Sequence, residues 1–326
     1  MLARVANSLY WAGRYIERSE HLARYLKVQY FSTFDAPMIQ QKEVILQSIL
    51  HMASNVITNE ETNSQQQHQQ QQQQSTHSFS EQDILVTVGF DLENSTSILS
   101  SVQYARENAR NVRYTLSSEL WEAINAFYHY TKEYPVDFYK TRGLYDFTTS
   151  VIQHSYVVRS YADSTLLHDN VWAFFKLGIY LERAVQIMRI LNSKVTDIQV
   201  LTGNGKDDPL TAYQWTTTLK TLEGFDMHRK VYRGNIKQEN VVSFLLTHPA
   251  FPRSVAFTLG KVNFILSRLT FALNPNSQLN FQSEKLETSF KFLEYKEVED
   301  DLQAFLGASL EKIYNLNDLI EQEYFE

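Results

Sequence analysis

Glu17, Glu20 and His21 have the types and spacing of helix-borne metal ligands. A carboxylate-bridged dimetal bundle needs such a Glu-x-x-His set on two helices. The surrounding phrase does occur twice, as GRYIERSEHLARYL (13–26) and GIYLERAVQIMRIL (178–191). The second copy, however, has Val185 and Gln186 where Glu20 and His21 stand. The ligand set is not duplicated, so no metal site is expected. The nine histidines are scattered, with no His-x-x-x-His, and read as surface or satisfied core residues. TGNGKDD (202–208) imitates the end of a phosphate loop, which needs G-x-x-x-x-G-K-[ST] after a strand. Here Gly203 and Gly205 are too close, Asp207 follows Lys206, and no strand precedes them. G-x-S-x-G is absent, and the chain has no cysteine. That removes thiolate ligands and a thiol nucleophile. No catalytic residue and no cofactor are assigned.

What the repeat offers instead is paired charge. At an offset of 165, Gly13 matches Gly178, Tyr15 matches Tyr180, and Glu17-Arg18 matches Glu182-Arg183. Arg24 likewise matches Arg189. At ~100° per residue, the Gly, the Glu and the later Arg of each copy fall within ~40° of one another. They lie at the border of the apolar stripe. A charge there becomes half-buried and needs a fixed partner. A Gly one turn earlier lets another backbone come close. The Arg directly after each Glu points into the polar arc. The phrase therefore predicts a tight helix crossing, with Glu17 and Glu182 facing arginines from neighbouring helices.

YARENARNVRY offers such arginines, with Gln103, Arg106, Arg110 and Arg113 on one stripe. Glu107 and Asn108 lie between them. Arg253 adds a cation in what reads as a first helical turn, beside free backbone N–H groups. The expectation is one central network of both Glu residues, these arginines and Arg253. It is either a structural lock or a cradle for a carboxylate or phosphate. Ordered ion-pair networks without chemistry are the commoner case.

The elements that must position these residues are helices. Val5, Leu9, Ala12, Ile16 and Ala23 share one face of a first helix over about 2–30. Asp35 and Pro37 mark a stop and restart, followed by the stripe Ile45, Ile49, Met52 and Val56. Residues 59–82 are glutamine-rich without apolar pattern, and read as a disordered insertion. Order returns near Asp91. Ile98, Val102, Ala105, Ala109, Val112 and Leu116 mark the next helix, and another restarts at Ser117 or Ser118. A break is expected around Gly143. Further helices are expected near 145–167, 170–194, 210–222, 237–246, 252–272, 282–296 and 299–324, with a loop over 201–209. No segment alternates as a strand does.

With 10 Gly and 6 Pro in 326 residues, the chain is suited to long helices. Net charge is -7, which argues against nucleic acid as a partner. The N-terminal stretch reads as a first helix rather than a signal peptide, and no uncharged apolar run is long enough for a membrane span. A cytoplasmic location fits. The reading is an all-α, multi-helix bundle: one domain over 1–326 in two halves (about 1–140 and 145–326), duplicated and related by an approximate two-fold axis.

Four motifs in order, SLYWAGRYIERSEHLARYL, SILSSVQYARENARNVRYTLSSELWEAIN, FFKLGIYLERA and FLLTHPAFPRSVAFTL, resemble the bacterial alpha-E domain family. The resemblance covers the chain apart from the glutamine tract, and implies an all-helical fold with a Glu-Arg motif. It implies association with circularly permuted ATP-grasp proteins and transglutaminase-like cysteine peptidases, a setting in which amide bonds are made or cut. Carried over by motif, the candidates are Glu17, Arg18, Glu182, Arg183, Arg106, Glu107, Asn108, Arg110 and Arg253. Two functions follow. One is a non-catalytic partner or scaffold for such a system. The other is an enzyme or ligand-binding subunit that holds an anionic substrate in the Glu/Arg network, with Glu17 or Glu182 as base.

Overall fold

The computed structural model describes residues 1–35, 39–53, 80–202, 209–270 and 277–326. Every regular element among them is helical. The chain first forms α1 (Ala3–Asp35), α2 (Ile39–Met52), α3 (Glu81–Gly89), α4 (Ile98–Asn111), α5 (Ser118–Glu133) and α6 (Leu144–Thr165). It continues through α7 (Asn170–Thr202), α8 (Pro209–Thr221), α9 (Phe225–Val231), α10 (Gln238–Thr247), α11 (Val255–Thr270), α12 (Gln278–Lys291) and α13 (Leu302–Tyr324).

The two 33-residue helices α1 and α7 pack on each other along the middle of the bundle. At ~1.5 Å per residue each is about 50 Å long. Their paired residues rise together: Arg18 with Glu182, Tyr25 with Ser193, Gln29 with Lys194. The two helices therefore run parallel, and the stretch between them must return across the bundle. Helix α1 is covered by α4 and α6, with α5 packed on both. Helix α7 is covered by α11 and α13, with α12 packed on both. The predicted stripe of α1 is buried throughout. Helix α7 is buried on nearly every face from Ala173 to Ile198, as a helix surrounded by others must be.

Several expected boundaries move. Helix α1 continues to Asp35 because Ser32 is still buried and Tyr30 donates to Glu81. Order returns at Ser80, within the tail of the segment read as disordered. Its side chain and that of Asp83 form a capping box, and Ile84, Leu85 and Val88 are buried. Residues 54–79, which include Val56 of the expected α2 stripe and most of the glutamine tract, lie outside the described residues, as do Pro37 and 203–208. No break occurs at Gly143: a π-turn, Tyr139–Gly143, carries the chain directly into α6. Helix α7 outlasts its predicted end because Val195 and Ile198 are buried. Helix α9 was not expected. Helix α11 starts at Val255, with the Ser254 side chain accepting from the Phe257 N–H, so Pro252 and Arg253 precede it. Ser277 caps α12, which starts at Gln278, four residues before its expected start.

Candidate functional site

Gly13 and Gly178 set the closest approach of α1 and α7. A Cβ on Gly13 would overlap the Phe175 carbonyl, and one on Gly178 would overlap the Tyr10 carbonyl. One turn on, the two Glu-Arg pairs exchange partners. Arg183 donates from Nε to Glu17 Oε1 at 2.6 Å and from Nη2 to Oε2 at 3.1 Å. Arg18 donates from Nε to Glu182 Oε1 at 2.7 Å and from Nη2 to Oε2 at 3.1 Å. Both carboxylates are completely buried, beyond the half-burial their border position predicts. Nor do the motif arginines point into solvent: Arg18 and Arg183 are 15% and 11% exposed at the side chain. Close packing of the two backbones brings each long side chain within reach of the facing carboxylate, and bidentate pairing holds it there. Four residues after each Glu, a side chain of the same helix completes it. His21 Nε2 lies 3.1 Å from Glu17 Oε1, and Gln186 donates to Glu182 Oε1 at 2.8 Å.

Beyond this exchange the two sides differ. Glu182 also accepts from Arg14 Nε at 2.7 Å, and Arg14 reaches on to Tyr10 and Asn317. On the other side Arg159, from α6, bridges Glu17 and the equally buried Glu20. Glu20 also pairs with Arg24 and, at 2.9 Å, with Arg253. Arg253 pairs with Glu223 at 2.9 Å as well. Burial pushes Glu17 toward protonation, but Arg183 and Arg159 outweigh it and hold the carboxyl well below the usual range. Burial acts on Glu182 in the same way, and Arg18 and Arg14 overcome it.

The predicted arginine stripe is not in this network. Helix α4 turns Ile98, Val102, Ala105 and Ala109 toward the core. Arg106 and Arg110 consequently lie on its outer side, and Arg113 lies in the short 3-10 turn that follows it. Arg106 donates to Asn125 and pairs with Glu107, which also holds Arg110 at 2.8 Å. Arg113 lies over the Trp121 ring, and Asn108 donates to the Tyr104 carbonyl. Arg110 is 60% exposed, so Arg110→Ala should shift stability by no more than about 0.5 kcal/mol in denaturant titration. Of the matched late arginines, Arg24 joins Glu20 and Glu223, whereas Arg189 donates to the Met52 carbonyl. Arg253 does join the network, but through carboxylates rather than helix N–H groups.

Sequence reasoning passed over Arg14, Arg159, Tyr156 and Glu223, and considered Glu20 and His21 only as metal ligands. Arg159 carried a signal: it borders the stripe Val151, Ser155, Val158 and Ala162. Glu223 carried none. A second buried cluster was also passed over. Lys194 donates to Gln29 and Gln214 and pairs with Asp197, which accepts from Ser48. No group of three or more His, Asp or Glu side chains among the described residues could hold a metal ion.

The sequence profile of Alpha-E, described as a predicted alpha-helical domain with a conserved ER motif, matches residues 1–325. The chain belongs to the Alpha-E family. No curated protein and no solved structure matches the chain significantly. In this Alpha-E protein the two Glu-Arg dipeptides are the two halves of one exchanged ion-pair set between parallel helices. No described helix is long and apolar enough to cross a membrane.

Proposed function

We propose that this Alpha-E chain is a non-catalytic helical subunit or scaffold, acting in the cytoplasm beside a circularly permuted ATP-grasp protein and a transglutaminase-like peptidase. The observation that carries this reading is the state of Glu17 and Glu182. A general base must be free to take a proton near neutral pH. Both carboxylates are enclosed, and each is held ionised by two or more arginines. That is the condition of a structural lock. The chain then acts through its surface.

The same reading takes 1–326 as one domain of two copies about an approximate two-fold axis. In support, α1 with α4, α5 and α6 has the same pattern of neighbours as α7 with α11, α12 and α13. A ligand-binding role is favoured at one place, the solvent-facing side of the Glu20 cluster.

The test is reconstitution with the circularly permuted ATP-grasp protein. The two should co-elute at micromolar concentration, and the partner's amide-forming ATP consumption should rise when this chain is added. Turnover by this chain alone, or no association, would remove the reading.

A further inference from the structure

The Glu17 side of the crossing holds more positive than negative charge. Arg24, Arg159, Arg183 and Arg253 face Glu17, Glu20 and Glu223. His21 does not add to them near neutral pH, because burial pushes its imidazole down against the pull of Glu17. Two of the three carboxylates are enclosed. The third, Glu223, is 41% exposed. It follows α8 with φ of 52°, a left-handed backbone that few residues other than Gly adopt. From there its carboxylate lies across the mouth of the cluster. Oε2 is 2.9 Å from Arg253 Nη2 and accepts from the Tyr156 hydroxyl, while Oε1 is 3.6 Å from Arg24 Nε. Arg24 Nε is buried and makes no hydrogen bond. Burial first, then the neighbouring Arg253, push the Arg24 guanidinium down to about 9.

We propose that Arg24, Arg253 and Tyr156 form a binding site for a ligand carboxylate, and that Glu223 is the chain's own occupant, displaced when the ligand enters. The exchange swaps one carboxylate for another, so the charge of the cluster is unchanged. It frees Glu223 from its contacts, and a planar two-oxygen group not tethered to a left-handed backbone can reach the unused Arg24 Nε–H. A small free acid and the C-terminus of a peptide offer the same group. The inference rests on the cluster geometry and goes beyond the helical-partner reading, which can fail without it.

Glu223→Gly empties the site and accepts the left-handed backbone without strain. Thermal unfolding of this variant is followed in sodium acetate and in sodium chloride at equal ionic strength and neutral pH. Acetate should raise the melting temperature saturably, by about 3 °C or more, with no rise in chloride. The wild type should respond only at higher acetate, because Glu223 competes. Adding Tyr156→Phe to Glu223→Gly should weaken the acetate response several-fold. Inorganic phosphate should act more weakly than acetate. A tripeptide with a free C-terminus acting like acetate, while its amide does not, would assign the site to chain ends; acetate alone would assign it to small acids. Equal responses to acetate and chloride, or a stronger response to phosphate, would overturn the proposal.

Discussion

Gly178→Ala lowers the stability of this protein by about 3 kcal/mol, where an unhindered helix interior would gain about 1 kcal/mol from the same change. The opposite sign follows from what the new methyl group meets. It would overlap the Tyr10 carbonyl oxygen, which belongs to the backbone and cannot rotate away. The only relief is to move α7 off α1, and that lengthens every ion pair across the crossing. Gly13→Ala meets the Phe175 carbonyl and should behave alike. Once one substitution has parted the helices, the second should add less than its single effect, a non-additivity expected of sites that share one displacement. Gly307 is the control: it lies within α13, and no atom stands within 4 Å of a Cβ built there. Urea unfolding of the four variants checks this. A stabilised Gly178→Ala protein would mean that the two helices are not held at this distance.

Glu182→Gln should be the second large effect, a loss of about 3–5 kcal/mol, because it leaves buried arginines facing a neutral amide. Arg14 and Arg18 both direct Nε at this one carboxylate. Glu17→Gln should be milder. Arg159 retains Glu20, and Arg253 retains Glu20 and Glu223. Acid titration separates the lock from a general packing defect. Both carboxyls are held below their ordinary range in the folded protein. The stability they contribute is therefore fully present above the unfolded value of about 4.3 and is lost as pH falls from there. Each Gln variant should lose stability less steeply over that interval than the wild type. Glu182→Gln melting like the wild type, with an equally steep acid profile, would show that the exchanged pairs do not hold the bundle together.

The helical fold was legible from composition and period alone. Sparse Gly and Pro, the α1 stripe from Val5 to Ala23 and the helix restart at Ser117 are local features, and local features survive into the structure because neighbouring residues along the chain carry them. The close approach at Gly13 and Gly178 was legible for the same reason. It needs a missing side chain at a fixed step from a carboxylate, and the repeat shows both. The partners of the carboxylates were not legible. Arg18 and Arg183 sit a quarter-turn from the border, and helical angle alone sends them to solvent; only the parallel crossing of α1 and α7 lets each reach the facing Glu. Arg106, Arg110 and Arg113 looked like the missing partners by charge, but the apolar face of α4 must be buried, and burying it turns Arg106 and Arg110 outward. Arg159 and Glu223 come from stretches 142 and 206 residues distant from Glu17 in the chain, and nothing in their local sequence names their target. Periodicity therefore decided which faces are apolar and where two backbones can touch. Which charge meets which was decided by tertiary packing, because an ion pair depends on positions in space that no local pattern encodes.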